Sequence, residues 1–150
     1  MQKLLPVSLV LCLLLLAGCR AATVVGANFN PDREMAKAQK IVVANAEGDE
    51  KAVLETEDEI DAFVKSVNVE GWRLADLPEG LTGAGSFTLW QTETLTALFG
   101  DKKAELKEIC AFLIYEDGDY LTIDTGFANI AISFSIPEET ADYLRSLTQG

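Results

Sequence analysis

Only Asp117-Gly118 separates the β-favouring run Ile109 to Glu116 from the run Asp119 to Asp124. A connection this short closes an antiparallel pair, because parallel strands need a crossover of a dozen or more residues. Asp-Gly suits a two-residue turn with positive φ at both positions, which sets the register. Tyr115 then stands opposite Tyr120 and Leu113 opposite Thr122 on one face, with Ile114 opposite Leu121 and Phe112 opposite Ile123 on the other. The second face is the more apolar and reads as the core.

The remaining elements follow the same logic. Lys40 to Ala46 and Lys51 to Glu55 form a second hairpin through Glu47-Gly48-Asp49-Glu50. Thr56 and Glu59 make a capping box, and Ile60, Phe63, Val64 and Val67 recur at helical spacing behind it. Val69 to Gly85, broken by glycine and proline, is expected to hold at most one short strand. Strands are expected at Ser86 to Gln91, at Thr94 to Phe99 and at Ala128 to Ile136, with a charged connection of helical character over Asp101 to Glu108. A last helix follows Pro137 and turns Ala141, Leu144 and Leu147 inward. Asn30 and Pro31 suit the start of a short helix carrying Met35 and Ala38. The fold class is therefore α+β, a single antiparallel sheet with two helices packed on one face.

At the N-terminus, Lys3 precedes an apolar run from Leu4 to Leu16, followed by Ala17, Gly18 and Cys19. The 15 residues from Leu4 to Gly18 fall short of the ~20 that span hydrocarbon, and they end in small residues as an export cleavage site does. Leu16-Ala17-Gly18-Cys19 resembles the lipobox of bacterial lipoprotein precursors. That resemblance implies a signal peptide over residues 1–18, a diacylglycerol on Cys19, and a mature protein anchored on the extracytoplasmic side of the cell membrane. An ordinary signal peptide cut nearby and an uncleaved short anchor are the alternatives. Two acyl chains hold a protein stably where one holds it marginally. Residues 19–39 read as the lipidated cysteine and its tether, and residues 40–150 as the globular domain.

The lipobox, Lys40-Ile41-Val42-Val43, the Thr56 helix, Ile114-Tyr115-Glu116-Asp117-Gly118-Asp119-Tyr120-Leu121 and Ile132-Ser133-Phe134 together resemble small uncharacterised lipoproteins of Gram-positive gut bacteria. The resemblance implies the anchor and the fold, and carries over neither an activity nor a functional residue.

Without residues 1–18 the chain keeps 11 basic and 24 acidic residues, a formal net charge of −13. Nucleic acid does not fit such a surface, and anionic headgroups repel it, so the lipid alone is expected to hold the domain to the membrane. The sequence has no histidine, which removes Ser-His-Asp and Cys-His catalysis and every histidine metal site. Cys12 leaves with the signal and Cys19 is acylated, so Cys110 has no disulfide partner. It reads as a small buried hydrophobe or as a reactive thiol.

Acidic residues gather at Glu47, Asp49 and Glu50, around Glu55 to Asp61, and at Glu116, Asp117 and Asp119. They read as a solvated surface, as weak calcium ligands or as a carboxylate pair acting on a glycan. Nothing in the sequence requires a cofactor or a metal. The candidate binding face is Leu113, Tyr115 and Tyr120, with Trp72 beside it in its glycine-rich loop. Tyrosine buries a large area and keeps a polar tip, as recognition surfaces favour. The tyrosines could equally stabilise the sheet beneath the loop of residues 69–85, and Trp72 could fill the core. Trp90 alternates with Leu89, so one of the two points away from the core. The leading expectation is a noncatalytic binding or sensing module for a protein, peptide or envelope component. A small carboxylate-dependent envelope hydrolase and a structural subunit of a membrane complex are the rivals.

Labelled palmitate fed to cells is expected to enter the wild-type protein and not the Cys19→Ser variant. No incorporation into the wild type would exclude acylation as the anchor.

Overall fold

The computed structural model describes residues 29–92 and 104–150. The lipobox with Cys19 and the strand expected at Thr94 to Phe99 lie outside them. Seven strands, β1 (Lys40–Asn45), β2 (Glu50–Leu54), β3 (Arg73–Leu74), β4 (Gly83–Thr92), β5 (Leu106–Tyr115), β6 (Tyr120–Asp124) and β7 (Ala131–Ser135), form one sheet in the order β2-β1-β4-β5-β6-β7-β3. Every neighbouring pair is antiparallel. Helices α1 (Pro31–Met35), α2 (Glu57–Val67) and α3 (Glu138–Gln149) complete the α+β fold, and among the described residues no helix is long and apolar enough to cross a membrane.

Local chemistry explains the helix starts. Asn30 accepts the Arg33 N–H and places Pro31 at the first position of α1. At α2, Thr56 Oγ1 accepts the Glu59 N–H while the Glu59 carboxylate accepts the Thr56 N–H at 3.1 Å. The bond to the Thr56 backbone is the main reason the Glu59 carboxyl lies below its ordinary range. Asn68, at φ 44°, ends the helix.

The core lies between one sheet face and the helices. Ile41, Val43, Phe87, Leu89, Cys110, Phe112, Ile114, Leu121 and Ile123 are inaccessible on that face. Phe63 of α2 meets Phe87 of β4 at 5.5 Å and Tyr143 of α3 at 6.3 Å between ring centroids, which ties both long helices to the sheet. Burial of a side chain such as Phe63, Phe87 or Phe112 contributes roughly 1.5–3 kcal/mol. α3 packs closest at Thr148, which is buried beside Gly85. Leu147 packs against the core half-buried, as the sequence indicates, while Thr148, which the pattern did not single out, takes the deeper position. Thr148 satisfies its hydroxyl on the Arg145 carbonyl at 2.9 Å.

Several expectations change in detail. Leu106–Glu108 belongs to β5 and not to a helical connection, because it pairs with Trp90–Thr92. β7 starts at Ala131, since Ala128 and Asn129 have φ of 52° and 55° and cannot continue a strand. The expected register Phe112↔Ile123, Leu113↔Thr122, Ile114↔Leu121 is present, yet Asp117-Gly118 does not form the two-residue turn, for only Gly118 has positive φ. The groups of this loop are engaged elsewhere: the Arg145 guanidinium donates to the carbonyls of Tyr115 and Gly118, and the Glu116 N–H donates to Thr82. The hairpin therefore opens into a loop gripped by α3. Met35 and Ala38 join the core cluster and Phe29 packs against it, so these three residues of the expected tether belong to the packed body.

A methyl group on Gly85 would collide with the Ala44 carbonyl and with Thr148. Gly85→Ala is expected to destabilise the fold by about 1–3 kcal/mol through overpacking, read as a lower urea midpoint; an unchanged midpoint would contradict this close approach.

Candidate functional site

The proposed tyrosine surface does not form as a recognition face. Tyr115 is only 7% exposed, and its phenol shares a 2.8 Å hydrogen bond with Thr122 Oγ1, which continues to Ser133 Oγ at 2.9 Å. The Ala75–Thr82 connection is tied to the sheet at both ends, with the Ala75 N–H donating to the Ser133 carbonyl at 3.1 Å and Thr82 accepting the Glu116 N–H at 2.9 Å. Tyr120 is half-buried and Leu113 is 39% exposed. Trp72 lies on the opposite, core face. It packs on Phe112 and Phe134 at 6.0 and 5.6 Å between ring centroids, and its indole N–H donates to the Val67 carbonyl at 2.8 Å. The four residues therefore share no surface. Of the other pair, Leu89 is in the core and Trp90 half-buried outside it, with its Nε1 buried and unbonded.

A different concavity forms at the far end of the core face. Phe29 and Glu34 from the α1 region, Ile109 from β5, and Thr125, Phe127, Ile130 and Ile132 around the β6–β7 turn line an open pocket of about 250 Å³. Two backbone irregularities shape it. β5 pairs Cys110 with Leu89 and Glu108 with Trp90, so Ile109 is a bulge residue and packs against the core alongside Cys110. Beyond β6, the Ile130 N–H donates to Phe127 across Ala128 and Asn129, both at positive φ, the φ signature of a type I′ turn. Thr125 Oγ1 braces the turn by donating to Ile130, and Asp124 accepts the Gly126 N–H at 2.9 Å. The result holds Phe127 at the pocket lip, 71% exposed. Sequence reasoning missed Phe29, Phe127 and Ile130 as a group. An aromatic residue next to a glycine in a turn was the available sign, masked by reading Ala128 as the start of a strand.

Glu34 is the titratable lining group, and it bonds Lys37 at 2.8 Å. Cys110, adjacent in sequence to Ile109, is inaccessible, and its thiol is pushed up to about 12, first by burial and then by the charges of Glu34, Glu108 and Asp124. It is an unreactive core thiol. Elsewhere, Glu47 and Glu116 from two of the acidic groups line a shallow depression with Lys51, while Asp119 faces Arg145 at 3.6 Å. Among the described residues no three Asp, Glu, Cys or His side chains gather as a metal site. No family model, curated protein or solved structure matches the chain.

Positive φ strains an L-residue by about 1–2 kcal/mol, whereas glycine loses about 0.5–1 kcal/mol of backbone entropy instead. Ala128→Gly is therefore expected to stabilise the fold by about 0.5 kcal/mol, read from denaturant unfolding. A loss of stability would contradict the turn described.

Proposed function

We propose that this chain is a lipid-tethered, noncatalytic binding module, held through Cys19 on the extracytoplasmic side of the cell membrane, that recognises a protein or peptide. The observation that carries the proposal is the apolar pocket with Phe127 71% exposed at its lip. An exposed aromatic ring beside a concavity lined by half-buried aliphatic side chains suits recognition by burial. Glu34, the acidic residue of the lining, is bonded to Lys37 at 2.8 Å and so is already engaged within the protein. Phe29 stands ten residues after Cys19, a stretch that reaches at most about 35 Å, so the pocket operates close to the membrane surface.

The second reading, a carboxylate-dependent hydrolase, is favoured by the shared depression of Glu47 and Glu116. A photoreactive residue placed at Phe127 in intact cells distinguishes the two, with one at exposed Lys65 on α2 as control. The expected result is a discrete protein adduct from position 127 and none from position 65. Absence of any adduct, together with loss of an envelope-glycan hydrolysis in the Glu47→Gln, Glu116→Gln variant, would replace the binding module with the hydrolase.

A further inference from the structure

Resting on the binding-module reading, we infer that the pocket between α1 and the β6–β7 turn accepts one large hydrophobic side chain from an extended partner segment whose flanking residues are lysine or arginine. Size is the first argument. At about 250 Å³ the pocket lies below the ~300–1,000 Å³ typical of small-molecule sites, and it suits a single side-chain anchor of the kind that dominates protein interfaces. Its lining supplies what such an anchor needs: Phe29, Ile109, Ile130 and Ile132 offer apolar contact, and the exposed ring of Phe127 can close over the inserted group.

Charge is the second argument. Glu34 lines the pocket, and Glu108 and Asp124 each directly precede a lining residue. All three act on Cys110, which places them at the same end of the sheet. Arg33, Lys37 and Lys107 stand near them in sequence, with Lys37 held by Glu34. The field of the whole chain decides the balance, since without residues 1–18 it has 24 acidic residues against 11 basic ones. Such a field draws cationic segments towards the surface and turns acidic ones away. It also opposes a bilayer of anionic lipid as the occupant.

The test uses the full lipidated chain in phosphatidylcholine nanodiscs and fluorescein-labelled peptides read by anisotropy. The probes are Lys-Lys-Leu-Lys-Lys, Lys-Lys-Gly-Lys-Lys and Glu-Glu-Leu-Glu-Glu. The leucine-containing basic peptide is expected to bind at least ten times more tightly than either other peptide. Phe127→Ala should weaken it at least fivefold, whereas Leu74→Ala, at another exposed apolar position, should leave it unchanged. Equal binding of the glycine peptide would mean that charge acts without the pocket. Equal binding of the acidic peptide would remove the charge argument, and no binding of any peptide at millimolar concentration would overturn the inference. Displacement of the leucine peptide by a zwitterionic lysophosphatidylcholine below its micellar concentration would assign the pocket to an acyl chain. A protein adduct at position 127 in cells, with no discrimination among the peptides, would leave the binding module standing and this inference refuted. A membrane-borne protein without any adduct would refute the module itself.

Discussion

A seven-stranded sheet is wider than the two helices that cover it. At about 4.8 Å between strands the sheet spans about 29 Å, whereas two helices of about 10 Å diameter cover roughly 20 Å of it. The long helices settle on one side: α3 packs against β1, β2, β4 and β5, and Phe63 of α2 reaches Phe87 of β4. Apolar residues on β6 and β7 still need cover. Trp72 supplies it near Phe112 and Phe134, and α1 with the β6–β7 turn supplies it at the other end. The pocket is where this second cover stops short. It is thus a consequence of the area mismatch, placed in a concavity by the bulge at Ile109 and the turn at Ala128-Asn129.

Much of the architecture was legible because its determinants are local. The capping box at Thr56, the helical spacing of Ile60, Phe63 and Val67, and the alternation through Phe112, Ile114, Leu121 and Ile123 each depend on residues close in sequence. Register also survived a wrong turn assignment. Ile114 faces Leu121 although Asp117 does not adopt positive φ, since the buried face of each strand constrains pairing independently of the loop.

What was not legible depends on partners distant in the chain. Nothing near Asp117-Gly118 announces that Arg145 will bind the Tyr115 and Gly118 carbonyls. Tyr115 reads from sequence either as a contact surface or as part of the sheet's own packing, and only its burial to 7% exposure and its bond to Thr122 select the second. Trp72 sits in a loop by pattern and in the core by contact, because an aromatic ring fills the gap beyond the long helices better than their own side chains can. The pocket is the extreme case. Phe29, Ile109 and Phe127 come from three separate parts of the sequence, and two of the three owe their position to backbone irregularities that have no periodic signature.

The contact of Thr148 with Gly85 sets an order of events as well as a distance. α3 follows every strand in the chain, so a polypeptide made from its N-terminus has a complete sheet sequence before it has the helix that closes the core. Until α3 emerges, Phe63 lacks Tyr143, and the carbonyls of Tyr115 and Gly118 lack Arg145. A polypeptide stalled short of α3 consequently leaves uncovered the surface of β1, β2, β4 and β5 against which that helix packs, and it is open to proteases there.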